Sequence, residues 1–319
     1  MIGLWSRFVG AACATERGTS LALFRVFVGG VLLADAIHVL YVGALDPLFR
    51  PVADGGFAPA RHASALFDLF GGASIDVVTG MMWACVLLAA LLAAGVAGRI
   101  PAFALLQIRL ALLTLPIDIT GGYDRLLNNA LWLLVLANST ATLSVWCRLR
   151  TKRWTSDREV FAFPRHFAIL QLVVLYTFTG LIKGGAGWDA PHDAVYRLLH
   201  ITAYSRWDLT WTASLYPVLQ VATVVTHYWE ITFGLVGAAY VAQQGWLGDR
   251  ARAFALRFDL RWVYATFGVA FHVGLFVLVD VGPFSLATLG YYAAFLSPAE
   301  WERLGALIRR GRPVRPAPG

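Results

Sequence analysis

Charge is what this chain has least of. Only 14% of its 319 residues are Asp, Glu, Lys or Arg, whereas soluble domains carry about a quarter. With 58% hydrophobic residues and a mean hydropathy of +0.64, that scarcity excludes an ordinary soluble core. Lysine is scarcer still: Lys152 and Lys183 stand alone against 24 arginines. Cysteine is limited to Cys13, Cys85 and Cys147, without CxxC or paired spacing, so neither a disulfide framework nor a metal cluster is implied. The seven histidines show no HxxxH or HExxH pattern, and a metal site is not expected. No GxSxG, P-loop or GxGxxG lies in a strand–helix setting, which removes the usual hydrolase and nucleotide-binding readings.

What the sequence does have is long apolar runs. A membrane span needs about 20 mostly apolar residues, and such stretches recur from Thr19 onward. The first run continues well past the length of a signal-peptide core, so it reads as a retained span. The expected fold class is therefore all-α, a polytopic helical membrane bundle. About eight transmembrane helices are expected, near 19–43, 76–97, 101–119, 126–147, 166–183, 214–243, 262–281 and 284–298. The long run at 214–243 is expected to tilt or break at its polar cluster. The outer connections 44–75 and 184–213 read as interfacial, the second with helical apolar spacing at Val195, Leu198, Leu199 and Tyr204.

Basic residues test this layout. With a cytoplasmic N-terminus, the inner segments hold 18 Lys and Arg and the outer segments six. That is a positive-inside bias, and it predicts an inner-membrane, multi-pass protein with both termini in the cytoplasm. The net charge of +7 is then absorbed by topology, and no nucleic-acid partner is called for. Residues 1–298 read as one transmembrane domain, and 299–319 as a basic cytoplasmic tail with a disordered end.

Ionisable groups within spans are costly, about 2.5–3.5 kcal/mol at a helix centre, so each one asks for a partner or a purpose. Lys183, Asp118, Asn128, Asn129, Asp280 and His38 come from five expected helices and approach the outer leaflet together. They suggest an outward-facing polar pocket, with His38, Asp118 and Asp280 as ligand-pocket candidates. Arg25, Arg109, Glu230 and His272 lie deeper and form an expected buried polar network, in which Arg109 is matched with Glu230. Asp124 and Arg125, at a membrane edge, read as solvated. Lys183 closes "FTGLIKGGAGW" among Gly180, Gly184, Gly185 and Gly187. Two readings stay open for it: an ammonium snorkelling to water, or a general base held in a tight, partly apolar setting.

Several segments resemble a known family. "LVVLYTFTGLIKGGAGW" (172–188) is similar to the Tyr-Phe-x-x-Gly-x-x-Lys…Trp segment of the vitamin K-dependent γ-carboxylase family, whose bacterial members are the HTTM (horizontally transferred transmembrane) proteins. "LFRVFVGGVLL" (23–33), "LLNNALWLLVLANS" (126–139), "YWEITFGLVG" (228–237) and "AFHVGLFVLVDVGPFSLATLGYYAAFLSP" (270–298) follow in family order. The resemblance implies that Lys183 is a catalytic base, with Asn128 and Asn129 supporting it, and that a quinone or hydroquinone is the cofactor. It departs at Ala130, where the animal enzyme has a histidine, and in having no large region after the last expected span.

The resulting expectation is an HTTM protein with an outward-facing pocket for an apolar, quinone-like small molecule, acting in a carboxylase- or epoxidase-related redox reaction. Two alternatives stand beside it. One is a non-catalytic accessory, immunity or maturation factor for a secreted peptide, which would suit Ala130. The other is a transporter, for which no internal repeat is visible.

Overall fold

The computed structural model describes the chain except residues 1–4, 7–8, 11, 59–63, 116–119, 246 and 311–319. The described chain is predominantly helical, with one two-stranded sheet. It divides into two compact units, 1–166 with 296–319, and 167–295.

In the first unit, strand β1 (Thr15–Arg17) leads into helix α1 (Thr19–Tyr41). Then come α2 (Ile75–Ala94), α3 (Ile100–Leu112), α4 (Gly122–Leu136), α5 (Val145–Thr151) and strand β2 (Glu159–Phe161). Between α1 and α2 lie two short helices, Leu45–Phe49 and Ala65–Asp68. The local chemistry explains the boundaries. Ser74 accepts the Val77 N–H and starts α2, and Gly95 ends it in the left-handed conformation that glycine adopts without strain. Pro101 sits in the first turn of α3, where its missing N–H is harmless. α1 packs chiefly on α2, and Gly29 makes this possible: a Cβ there would lie 2.7 Å from the Ala93 nitrogen. β1 pairs antiparallel with β2, an addition to the expected all-helical fold. It is held by Val160, which joins Leu21, Ala137 and Ala141 in a buried cluster, and by Arg165 gripping Glu16 at 2.7 Å.

The second unit takes most of α6 (Phe163–Ile182). It continues through α7 (Ala194–Leu199), α8 (Tyr216–Ile231), α9 (Gly234–Gln243), α10 (Asp249–Arg257), α11 (Leu260–Leu278) and α12 (Phe284–Phe295). A last helix, α13 (Pro298–Arg310), belongs to the first unit.

Among the described residues, four helices are long and apolar enough to cross a membrane: α1, α2, α6 and α11. Their faces carry large exposed apolar side chains, among them Phe27, Trp83, Leu87, Phe178, Leu181 and Val263, as lipid-facing surfaces require. The other four expected spans are not single helices of spanning length, and this corrects the expectation of eight. α3 has 13 residues, roughly 20 Å at 1.5 Å per residue against a hydrocarbon core of about 30 Å. Pro116 follows closely in the sequence and disfavours helix in the residue before it. The 126–147 run stops at Ala137, where the backbone turns extended. The polar stretch after it is buried at Ser139, Thr140, Thr142 and Ser144. The expected break in 214–243 falls at Thr232–Phe233, where the Thr232 hydroxyl bonds back to Tyr228 O and the last turn tightens. α12 has 12 residues, and Pro298 opens the next helix.

Candidate functional site

Lys183 follows the last residue of α6, and the glycines beyond it let the chain turn sharply. Gly185 and Gly187 have φ of +75° and +95°, and the Asp189 carboxylate accepts the Gly185 N–H at 2.6 Å. The turn carries Trp188 under the ammonium, with Lys183 Nζ 4.2 Å from the ring centroid. On α8, Glu230 receives the same ammonium on both carboxylate oxygens at 2.5 Å. The lysine side chain is 25% exposed and the glutamate 6%.

This pairing depends on how closely α6 and α8 approach. At Gly180 a Cβ would stand 2.6 Å from the Ile231 nitrogen and 2.8 Å from the Glu230 Cβ, so only glycine lets the two backbones meet. One turn from Glu230, His227 packs edge-on against Trp188 at 5.5 Å and places Nε2 2.9 Å from Gly180 O. A carbonyl only accepts, so Nε2 carries the proton. The result is an ammonium, a carboxylate, an indole and an imidazole around one helix end.

Deeper in the same unit is an uncharged chain of hydrogen bonds. Tyr292 donates to the Tyr176 hydroxyl at 3.3 Å, and that hydroxyl lies 2.6 Å from His272 Nε2. His272 is wholly buried, ringed by Phe271, Phe284 and Tyr292, and among the described residues its Nδ1 meets no hydrogen-bond partner.

The first unit holds a second charged cluster. Arg109, in the last turn of α3, donates Nη2 to Asp124 at 3.0 Å, Nη1 to Asp35 at 3.5 Å and Nε to Asn128 at 3.2 Å. Asp124 also accepts the Gly121 N–H at 2.9 Å and so caps α4. Arg109 and Glu230, matched with each other in the sequence reading, each find a counter-ion within their own unit. Asp124, read from sequence as solvated, is buried. Its place in the first turn of α4 resembles a membrane edge in sequence, but the side chain turns inward to cap the helix and meet Arg109. Beside this cluster is a partly open cavity of about 110 Å³. Asp35, Arg109, Thr120, Tyr123 and Asp124 are among its polar lining, and Leu32, Phe49, Met82, Cys85, Leu105 and Leu112 among its apolar walls.

Among the described residues no carboxylate pairs with Arg25. Buried in α1, it donates to the carbonyls of Leu92 at 3.2 Å and Leu143 at 2.6 Å. Gly95 leaves the guanidinium its space, which any Cβ there would enter. The irregular backbone after α4 is thus satisfied by arginine, with Arg99 Nε reaching Ala137 O at 3.1 Å.

The remaining candidates are more peripheral. Asn129 and His38 are exposed. Asp280 is exposed and pairs with Arg206 at 3.1 Å. Asp118 lies outside the described residues. Ala130 is fully buried on α4. Among the described residues no group of three His, Cys, Asp or Glu could hold a metal ion. Trp188, His227 and Tyr176 were missed as site residues by sequence reasoning. The aromatic at Trp188, five residues past Lys183, was the available signal.

No protein-family model matches the chain, and no curated protein or solved structure matches it.

Proposed function

We propose that this chain is an integral inner-membrane protein of the HTTM type, with both termini cytoplasmic, that binds an apolar quinone-like ligand at the end of α6. The observation carrying this reading is Lys183, held on Glu230 and over Trp188 just past a helix of spanning length. Apolar surroundings strengthen a polar interaction, and a ring ligand finds there an indole face and an ammonium that remains a quarter exposed. A quinone–hydroquinone pair would supply the redox chemistry. The chain's part is to orient an oxygen with the Lys183 ammonium and to hold a transferred proton on the Lys183–Glu230 pair. The arginine-rich inner segments of the sequence support the orientation.

A second reading is a non-catalytic partner for a secreted peptide. It is favoured by Ala130, a closed apolar position where the resembling enzymes carry a histidine. One experiment separates the two: mass spectrometry of apolar small molecules co-purifying with wild type, Lys183→Arg and Lys183→Ala. A quinone retained by wild type and lost from Lys183→Ala supports the first reading. Equal small-molecule content in all three removes it.

A further inference from the structure

We propose that the cavity in the first unit binds a small organic ammonium ion bearing one ring or a short apolar chain, with Asp35 as its counter-ion. Among the described residues, the charges facing the cavity are Arg109 from α3, Asp124 from α4 and Asp35 from α1, a formal sum of −1. Exposed His38 lies one turn along from Asp35 on α1. The two carboxylates are not equally satisfied. Asp124 takes Arg109 on one oxygen at 3.0 Å and the Gly121 N–H on the other at 2.9 Å. Among the described residues, the hydrogen bond Asp35 accepts is from Arg109, at 3.5 Å, the outer limit of such a bond. A carboxylate has about four acceptor positions and is costly to leave short of donors away from water.

The lining decides the kind of ligand. An anion aimed at Arg109 would meet two carboxylates already in place, and the guanidinium is divided among three acceptors. A hard inorganic cation takes six or more oxygens, whereas the walls are chiefly Leu, Met, Phe and Cys. An ammonium on an apolar body suits both parts. Benzene fills an apolar cavity of about 150 Å³, so about 110 Å³ with an open side admits one ring or a short chain.

The test is isothermal titration of the full chain in detergent at pH 7 with benzylamine, benzyl alcohol and benzoate, which share shape and differ in charge. Benzylammonium is expected to bind at least about tenfold more tightly than the alcohol, with no binding of benzoate. Asp35→Asn should bring the amine to the alcohol's level, Val39→Phe should abolish both, and Lys183→Ala should bind as wild type. Equal binding of amine and alcohol to wild type overturns the proposal, as does an amine preference kept in Asp35→Asn. The wild-type ranking decides alone if that variant does not fold. The Lys183→Ala arm keeps this result separate from any quinone at α6.

Discussion

Arg109 and Lys183 each stand at the end of an apolar helix, yet the two units hold them by different means. Arg109 spreads a planar guanidinium over two carboxylates and a carboxamide from α1 and α4. Lys183 places a point charge on one carboxylate and covers its free side with an indole. The first arrangement has more acids than bases and a cavity alongside. The second is neutral overall, with its cation still partly exposed. Arginine here acts as a three-way tie between helices, whereas lysine is a charge kept reachable, a division that follows from fork geometry against a compact ammonium.

The comparison can be broken first at Arg109. Arg109→Met leaves Asp35 and Asp124 facing each other without a cation, and breaking a buried pair in this way loses about 3–5 kcal/mol. Thermal unfolding in detergent should show the largest loss of any substitution considered, and a fall of only a few degrees would remove the tie. Glu230→Gln comes next. It strands Lys183 on Trp188 alone, and since the lysine is a quarter exposed the loss should be smaller, about 1–3 kcal/mol. A double-mutant cycle with Lys183→Met checks it: without positive coupling between the two positions the pair contributes nothing.

Glycines sharpen the contrast further. Gly180→Ala must push apart α6 and α8, because its Cβ would sit 2.6 Å from backbone, and should lose about 1–3 kcal/mol. Gly30→Ala, in mid-α1 with nothing within 4 Å of the new Cβ, should instead gain about 0.5–1 kcal/mol. Denaturant titrations of the two variants are expected to move in opposite directions. Trp188→Leu, which removes a cation–π contact, should cost a similarly small amount, about 0.5–1 kcal/mol at a partly exposed site. Its sharper readout is the drop in tryptophan fluorescence on labelling Lys183 with a quencher, expected in wild type and smaller in the variant.

Much of this was legible residue by residue, and little of it pair by pair. Arg25, Arg109, Lys183, Glu230 and His272 stood out because an ionisable group in an apolar run needs a reason. Periodicity and hydropathy gave α1, α2, α6 and α11 closely, since each is one uninterrupted stretch. The partners were not legible, because ion pairing is decided by tertiary distance, and Arg109 had three acids within plausible reach along the chain. Asp124 escaped because capping a helix and pairing inward look the same in sequence as facing water. The shortened helices escaped for a related reason. Hydropathy records that "ANSTATLS" is only mildly polar, not that Arg25 and Arg99 will bond its carbonyls and let the helix stop.

That last arrangement bears on how the protein is made. The carbonyl that takes the Arg25 Nη2 belongs to a residue synthesised 118 positions later. At roughly 5–20 residues per second, α1 waits on the order of ten seconds in the translocation machinery or bilayer with a guanidinium lacking its final acceptors. α1 is therefore finished only after the chain beyond α4 has emerged. A ribosome stalled before Leu143 should leave α1 open to extraction by carbonate, and one stalled beyond Thr151 should not.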